Sequence, residues 1–129
     1  MLLVRRKASP GKNLLAFPGG YVQQYETLVE GMLRELKEET AINVPKDVLR
    51  KSIVASHVFD SPFRDLRGRV LTHAYCIDLG NGVLPKVRGG DDASHAFFMP
   101  LHEAFANDDA FFADHWHMLN YMTFKGASK

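Results

Sequence analysis

Gly20-Tyr-Val-Gln-Gln-Tyr-Glu26-Thr-Leu-Val-Glu-Gly-Met-Leu-Arg34-Glu35-Leu-Lys-Glu38-Glu39-Thr-Ala41-Ile42 is the stretch on which the reading of this chain turns. Its spacing predicts a helix over Glu26 to Thr40. Thr27 and Glu30 stand as a capping box, and Leu28, Val29, Met32, Leu33 and Leu36 recur as one apolar stripe. Asn43 and Pro45 give the stop. On that helix Glu35, Glu38 and Glu39 occupy positions i, i+3 and i+4, which places three carboxylates within about 100° of arc. Like charges held so close repel, and a bound cation relieves the repulsion. Ligands that are all oxygen suit Mg²⁺ or Mn²⁺ rather than zinc, and no Cys/His cluster competes for the role. Arg34, beside the cluster, can hold one carboxylate by a charge-assisted bond while the others take metal.

Taken alone, Arg-Glu-Leu-Lys-Glu-Glu is more often a solvated, salt-bridged helix face than a metal site. The upstream spacing reverses that reading. Gly20 is followed after five residues by Glu26, after seven more by Arg34-Glu35, then by Leu36, Glu38, Glu39 and Ile42. This resembles the box of the Nudix hydrolase family, G-x5-E-x7-R-E-U-x-E-E-x-G-U with U bulky and apolar, and eight of its nine specified positions are met. The departure is Ala41, where the pattern has glycine; Asn43 is expected to take the left-handed conformation that the glycine would supply. The resemblance implies an α/β fold, an α/β/α sandwich around a mixed β-sheet. It also implies roles: Glu35, Glu38 and Glu39 as metal ligands, the Gly20 carbonyl as a further ligand, Arg34 and Glu26 as residues that orient the carboxylates. Metal bound there would bridge a diphosphate and acidify an attacking water. Glu38, Glu39, Asp91 and Asp92 are the candidates for the group that takes the water's proton, and Asp91 is carried forward as the catalytic residue of the Gly89-Gly-Asp-Asp-Ala loop.

The similarity extends along nearly the whole chain. Arg5-Arg-Lys-Ala-Ser-Pro-Gly-Lys, Phe17-Pro-Gly-Gly, Arg64-Asp-Leu-Arg-Gly-Arg, Gly90-Asp-Asp-Ala and Asp114-His115 look like the Nudix half of bifunctional nicotinamide mononucleotide adenylyltransferase/ADP-ribose pyrophosphatases. The implied reaction is hydrolysis of ADP-ribose to AMP and ribose 5-phosphate. Other nucleotides (NADH, a dinucleoside polyphosphate, an oxidised nucleoside triphosphate) and a non-catalytic ADP-ribose sensor are the alternatives. A His-x-Gly-His nucleotidyltransferase signature is missing, so the adenylyltransferase activity is not carried over. Arg6, Arg64, Arg67 and Arg69 are the candidate substrate-binding residues, because planar guanidinium forks match phosphate oxygens.

Outward from these motifs the chain reads as one Nudix domain over residues 1–129. Its first strand, Met1 to Val4, begins abruptly, as in a fragment or a chain that has lost a preceding strand or domain. Ser9 to Gly20 reads as a loop interrupted by apolar Leu14 to Phe17. Ser52 to Phe59 and Val70 to Leu79 read as strands, neighbours or a hairpin across a charged loop. Ala96 to Met99 reads as a strand, Leu101 to Phe105 as a short helix, and about Ala110 to Phe124 as the last helix. With 46% hydrophobic and 24% charged residues among 129, no long apolar run and no secretory leader, the expectation is a cytoplasmic protein without a membrane partner. A net charge of +1 argues against a nucleic-acid surface, so an anion recognised here is expected to be small, and the resemblance implies that it is a nucleotide substrate. Pairing of two copies as a homodimer is left open. Cys76 and the histidines are assigned no chemistry.

Overall fold

The computed structural model describes residues 1–127, with side chains through Phe124. Strand β1 (Leu2–Arg6) lies between β2 (Leu15–Ala16) and β5 (Ala93–Phe98), antiparallel to both. A second antiparallel pair joins β3 (Ile53–Phe59) to β4 (Thr72–Ile77), the expected hairpin. The parallel component is one bridge between Leu15 and Phe111, reinforced by the Phe112 N–H donating to the Leu15 carbonyl.

Side chains alternate across a strand, so β1 serves two cores. Leu2 faces a cluster built from α1 (Leu28–Thr40) and α2 (Lys46–Lys51): Leu33, Leu36, Ile42 and Leu49. Leu3, fully buried, faces Ala104 of α3 (Leu101–Phe105), Phe111, and Leu119 of α4 (His115–Ala127). Helices therefore cover both faces of the strands, as the α/β/α expectation requires.

Several local expectations are corrected. The strand predicted at Met1 to Val4 runs on to Arg6, because Arg5 and Arg6 keep the ladder to β5. Pro45 does not stop α1, which ends at Thr40, but opens α2, a helix not predicted from the sequence; proline is well tolerated at a helix start, where its missing N–H costs nothing. The last helix begins at His115 rather than near Ala110, since Asp108–Ala110 forms a separate 3₁₀ turn and Ala113 takes a φ of 49° that no helix continues. The helix end differs as well. Ala41 itself, not Asn43, adopts the left-handed conformation, with φ 47° and ψ 32°, and its N–H donates to the Lys37 carbonyl. A Cβ in that region costs on the order of 1 kcal/mol, which the glycine of the motif would avoid.

Candidate active site

The site is assembled on α1. Thr27 caps the helix by accepting from the Glu30 N–H at 3.1 Å, and its hydroxyl donates to the Glu30 carboxylate at 3.0 Å. That fixed start sets the rotation of the helix. Leu33 and Leu36 point into the core while Arg34, Glu35 and Glu38 point out of it.

Arg34 organises the acidic residues. Its Nε and Nη2 form a two-pronged pair with Glu26 at 3.1 and 2.7 Å, its Nη1 reaches Glu35 at 2.8 Å and Glu38 at 3.2 Å, and Nη2 also donates to the Tyr21 carbonyl. Glu26 in turn accepts from the Gln23 N–H at 2.7 Å. These contacts hold the Glu26 carboxyl below the usual range, through Arg34 first, and raise the Arg34 guanidinium above its ordinary value through Glu26 and Glu35. The loop before the helix is thereby laid over its acidic face. Gly20 lies so close to Glu35 that a Cβ there would displace the carboxylate from its present position.

The second wall is the loop Gly89–Asp92. The Arg88 N–H donates to the Thr40 carbonyl at 2.8 Å, and the Asn43 N–H to the Lys86 carbonyl at 3.1 Å, so the strap before the loop is tied to the end of α1. Gly90 sits against the Glu38 backbone, where a Cβ would come within 2.6 Å of the carbonyl oxygen. A turn closed by the Ala93 N–H to the Gly90 carbonyl then presents Asp91, at φ 52°, to the helix. Oxygens of Glu35, Glu38 and Asp91 all lie within 4.8 Å of one another. This set is entirely oxygen, the chemistry Mg²⁺ or Mn²⁺ takes.

Glu39 is placed differently. It is only 6% exposed and its carboxyl accepts from the Gly19 N–H at 3.3 Å. Burial, and then the nearby Glu35, Asp92 and Asp91 charges, push its carboxyl up to about 8 in the metal-free protein.

The four candidate arginines separate. Arg6 extends from the end of β1, its Nε donating to the Pro10 carbonyl at 2.8 Å and its guanidinium lying 3.8 Å from the centre of the Phe112 ring. Arg67 is held by Asp65 through Nε and Nη2 at 2.9 and 2.7 Å. Arg69 is exposed, at the rim of a shallow cavity that Phe63 and Leu66 also line. Arg64 corrects the expectation of a substrate contact: its side chain is 3% exposed, and its five N–H groups go to both Asp114 oxygens at 2.8 Å, Val70 O, Thr72 Oγ1 and Met118 Sδ. No donor is left for a phosphate. The sequence shows Asp114 fifty positions away without any sign of the pairing.

His115, left without chemistry from the sequence, is a half-buried structural residue packed between Phe17 and Phe112. Its Nδ1 accepts from the Phe17 N–H at 3.0 Å, its ring stacks on Phe17, and burial pulls it down to about 4. Phe17 is thereby committed to the core, whereas Phe63 is almost fully exposed.

Comparison with known proteins agrees with this geometry. The family model of the NUDIX domain matches residues 1–122. The chain belongs to the Nudix family. This Nudix chain is 42% identical over 101 residues to an ADP-ribose pyrophosphatase of Methanocaldococcus jannaschii, a match covering 78% of the chain and 54% of that protein. A bifunctional NMN adenylyltransferase/ADP ribose pyrophosphatase of Francisella tularensis, solved with AMP and a Mn ion, superposes with a TM-score of 0.92 at 34% identity, over 97% of this chain and 37% of the other. The NUDIX domain of Shewanella oneidensis NrtR, solved with ADP ribose, matches with a TM-score of 0.76 at 24% identity over 96% of this chain and 75% of that one, and speaks for the fold alone. The chain thus spans about half the length of the curated relative and little more than a third of the Francisella protein. Among the described residues no helix is long and apolar enough to cross a membrane.

Proposed function

We propose that residues 1–129 act as one metal-dependent hydrolase domain that cleaves the diphosphate of ADP-ribose with water, giving AMP and ribose 5-phosphate. The observation that carries the reading is the convergence of Glu35, Glu38 and Asp91 oxygens on a Nudix frame. The similarity to an ADP-ribose pyrophosphatase from Methanocaldococcus and to the Francisella protein supports the choice of substrate.

In this reading Glu35, Glu38 and Asp91 hold Mg²⁺ or Mn²⁺, with the Gly20 carbonyl as a further ligand. When bound, the metal neutralises charge on the diphosphate and acidifies water. Arg34 keeps Glu35 and Glu38 aligned and separates their charges. Glu39, buried at the edge of the cluster with its carboxyl accepting from the Gly19 N–H, is the group assigned to take the water's proton. Arg6, Arg67 and Arg69 supply positive charge to the substrate; Arg64 holds the loop from behind.

Incubation of the purified chain with ADP-ribose, NADH, a dinucleoside polyphosphate and a nucleoside triphosphate, each with Mg²⁺, tests the substrate. AMP with ribose 5-phosphate as the preferred products is the expected result. Faster release of inorganic diphosphate from a triphosphate would overturn the choice.

A further inference from the structure

Resting on that reading, we infer that Arg6 and Arg67 form a single two-guanidinium subsite for a phosphate of the substrate, and that Asp65 is the positioning residue that aims Arg67 into it. The two arginines are far apart in sequence, at the end of β1 and in the loop between β3 and β4, yet both converge on one side chain. Their guanidinium carbons lie 3.8 and 5.5 Å from the centre of the same Phe112 ring. Arg67 also lies 5.8 Å from the Tyr21 ring, whose backbone carbonyl is bound by Arg34. The arginine pair therefore adjoins the wall of the acidic cluster, where the two phosphates of a diphosphate could be shared between cation and guanidinium groups.

The donors are divided in a way that suits a ligand. Among the described residues Arg6 donates through Nε alone, and Arg67 through Nε and Nη2. Both terminal amino groups of Arg6 and the Nη1 of Arg67 remain for an acceptor from outside. Arg64, three residues before Arg67, has every donor satisfied within the fold, so donors left over are not a general property of this loop.

Asp65 makes the arrangement rigid. It is 8% exposed and accepts three bonds from Arg67, from the backbone N–H at 2.8 Å and from the side chain at 2.9 and 2.7 Å. Such a fork fixes both the plane and the direction of the guanidinium. The electrostatics agree. Burial, followed by the positive charge of Arg67, lowers Arg6, while Arg67 holds the Asp65 carboxyl down at about 2. Two cations that repel beside one ring are relieved by an anion that pairs with both.

The test is calorimetric binding of ADP-ribose in EDTA, which reads the arginines without the metal, with AMP formation in Mg²⁺ measured in parallel. Arg6→Gln and Arg67→Gln should each weaken metal-free binding about tenfold or more, the loss expected for a charge-assisted contact. Asp65→Asn should weaken it severalfold in the parent chain and have no further effect in the Arg67→Gln background, because it acts through Arg67. Arg50→Gln, an equal loss of charge at the end of α2, should bind as the parent does. A folded parent chain that binds no ADP-ribose in EDTA, unchanged affinity in either arginine variant, or an Asp65→Asn effect that persists without Arg67 would overturn the proposal. AMP formation with unaltered binding by the variants would sink the subsite and spare the hydrolase reading. Arginine-dependent binding without AMP formation would do the reverse.

Discussion

The acidic face of α1 and the arginine loop between β3 and β4 both bring like charges together, but by different means. On the helix, spacing alone fixes which side chains share a face, so Glu35 and Glu38 stand beside each other as soon as the helix forms, and Arg34 spans them. In the loop, Arg64, Arg67 and Arg69 are nearly equivalent in sequence and have three different fates: buried against Asp114, braced by Asp65, and exposed. Periodic structure makes chemistry legible at a distance. A loop assigns each residue's role through partners that the sequence does not reveal.

Substitutions on the helix should act on turnover. Glu35→Gln and Glu38→Gln should each lower kcat for ADP-ribose by two to four orders of magnitude, roughly what loss of metal-assisted catalysis implies, with little change in melting temperature. Near-normal rates in both would separate the acidic face from the chemistry. In the loop the corresponding substitution should act on stability. Asp114→Ala leaves the Arg64 guanidinium buried without its counter-charge and should cost about 3–5 kcal/mol, seen as a fall in melting temperature on the order of 10 °C. A fall of only a degree or two would mean that Arg64 is free to turn toward solvent.

A smaller effect concerns Glu39. Its folded value of about 8 lies above the ordinary 4.5, so between these pH values the metal-free native chain holds more protons than the unfolded one, and stability falls as pH rises through the window. His115, pulled down to about 4, has the opposite slope, but only below its ordinary 6.5; the partly buried Met1 ammonium also opposes Glu39 below its ordinary 8.0. The difference between parent and Glu39→Gln isolates the carboxyl. From pH 6.5 to 8 in EDTA the unfolding free energy of the variant, read from denaturant titration, should gain on that of the parent by at most about 1.4 kcal/mol per pH unit, and Mg²⁺ should narrow the gap. A gap that stays constant with pH would place Glu39 in a more hydrated setting than its burial indicates.

The smallest effect is at the end of the acidic helix. Ala41→Gly removes a Cβ from the left-handed region and should stabilise the chain by about 1 kcal/mol, read from denaturant unfolding. A loss of stability would mean that the Ala41 methyl has packing worth more than the strain.

How much of this was readable beforehand follows the same division. The helix, its cap and its acidic face lay in the spacing from Gly20 to Ile42, and the hairpin of β3 and β4 in two alternating apolar runs. Asp91 was legible only as a candidate, since its approach depends on backbone bonds from Thr40 and Asn43 to the strap at Lys86 and Arg88. Residue preference points to Asn43 for the left-handed turn, whereas position at the helix end puts Ala41 there. Arg64 was misassigned because only the folded chain brings Asp114 and Met118 to it. The joint setting of Arg6 and Arg67 on Phe112 rests on contacts among three separate segments, and no local pattern encodes that.

On the proposed reading, the carboxylates of α1 and Asp91 work through a divalent cation on a diphosphate. The most direct test of that reading is the rate of AMP release from ADP-ribose by the EDTA-stripped chain as Mg²⁺ is added back. Turnover absent in EDTA and rising to saturation with Mg²⁺ is the predicted result; AMP released at the same rate with and without the metal would contradict it.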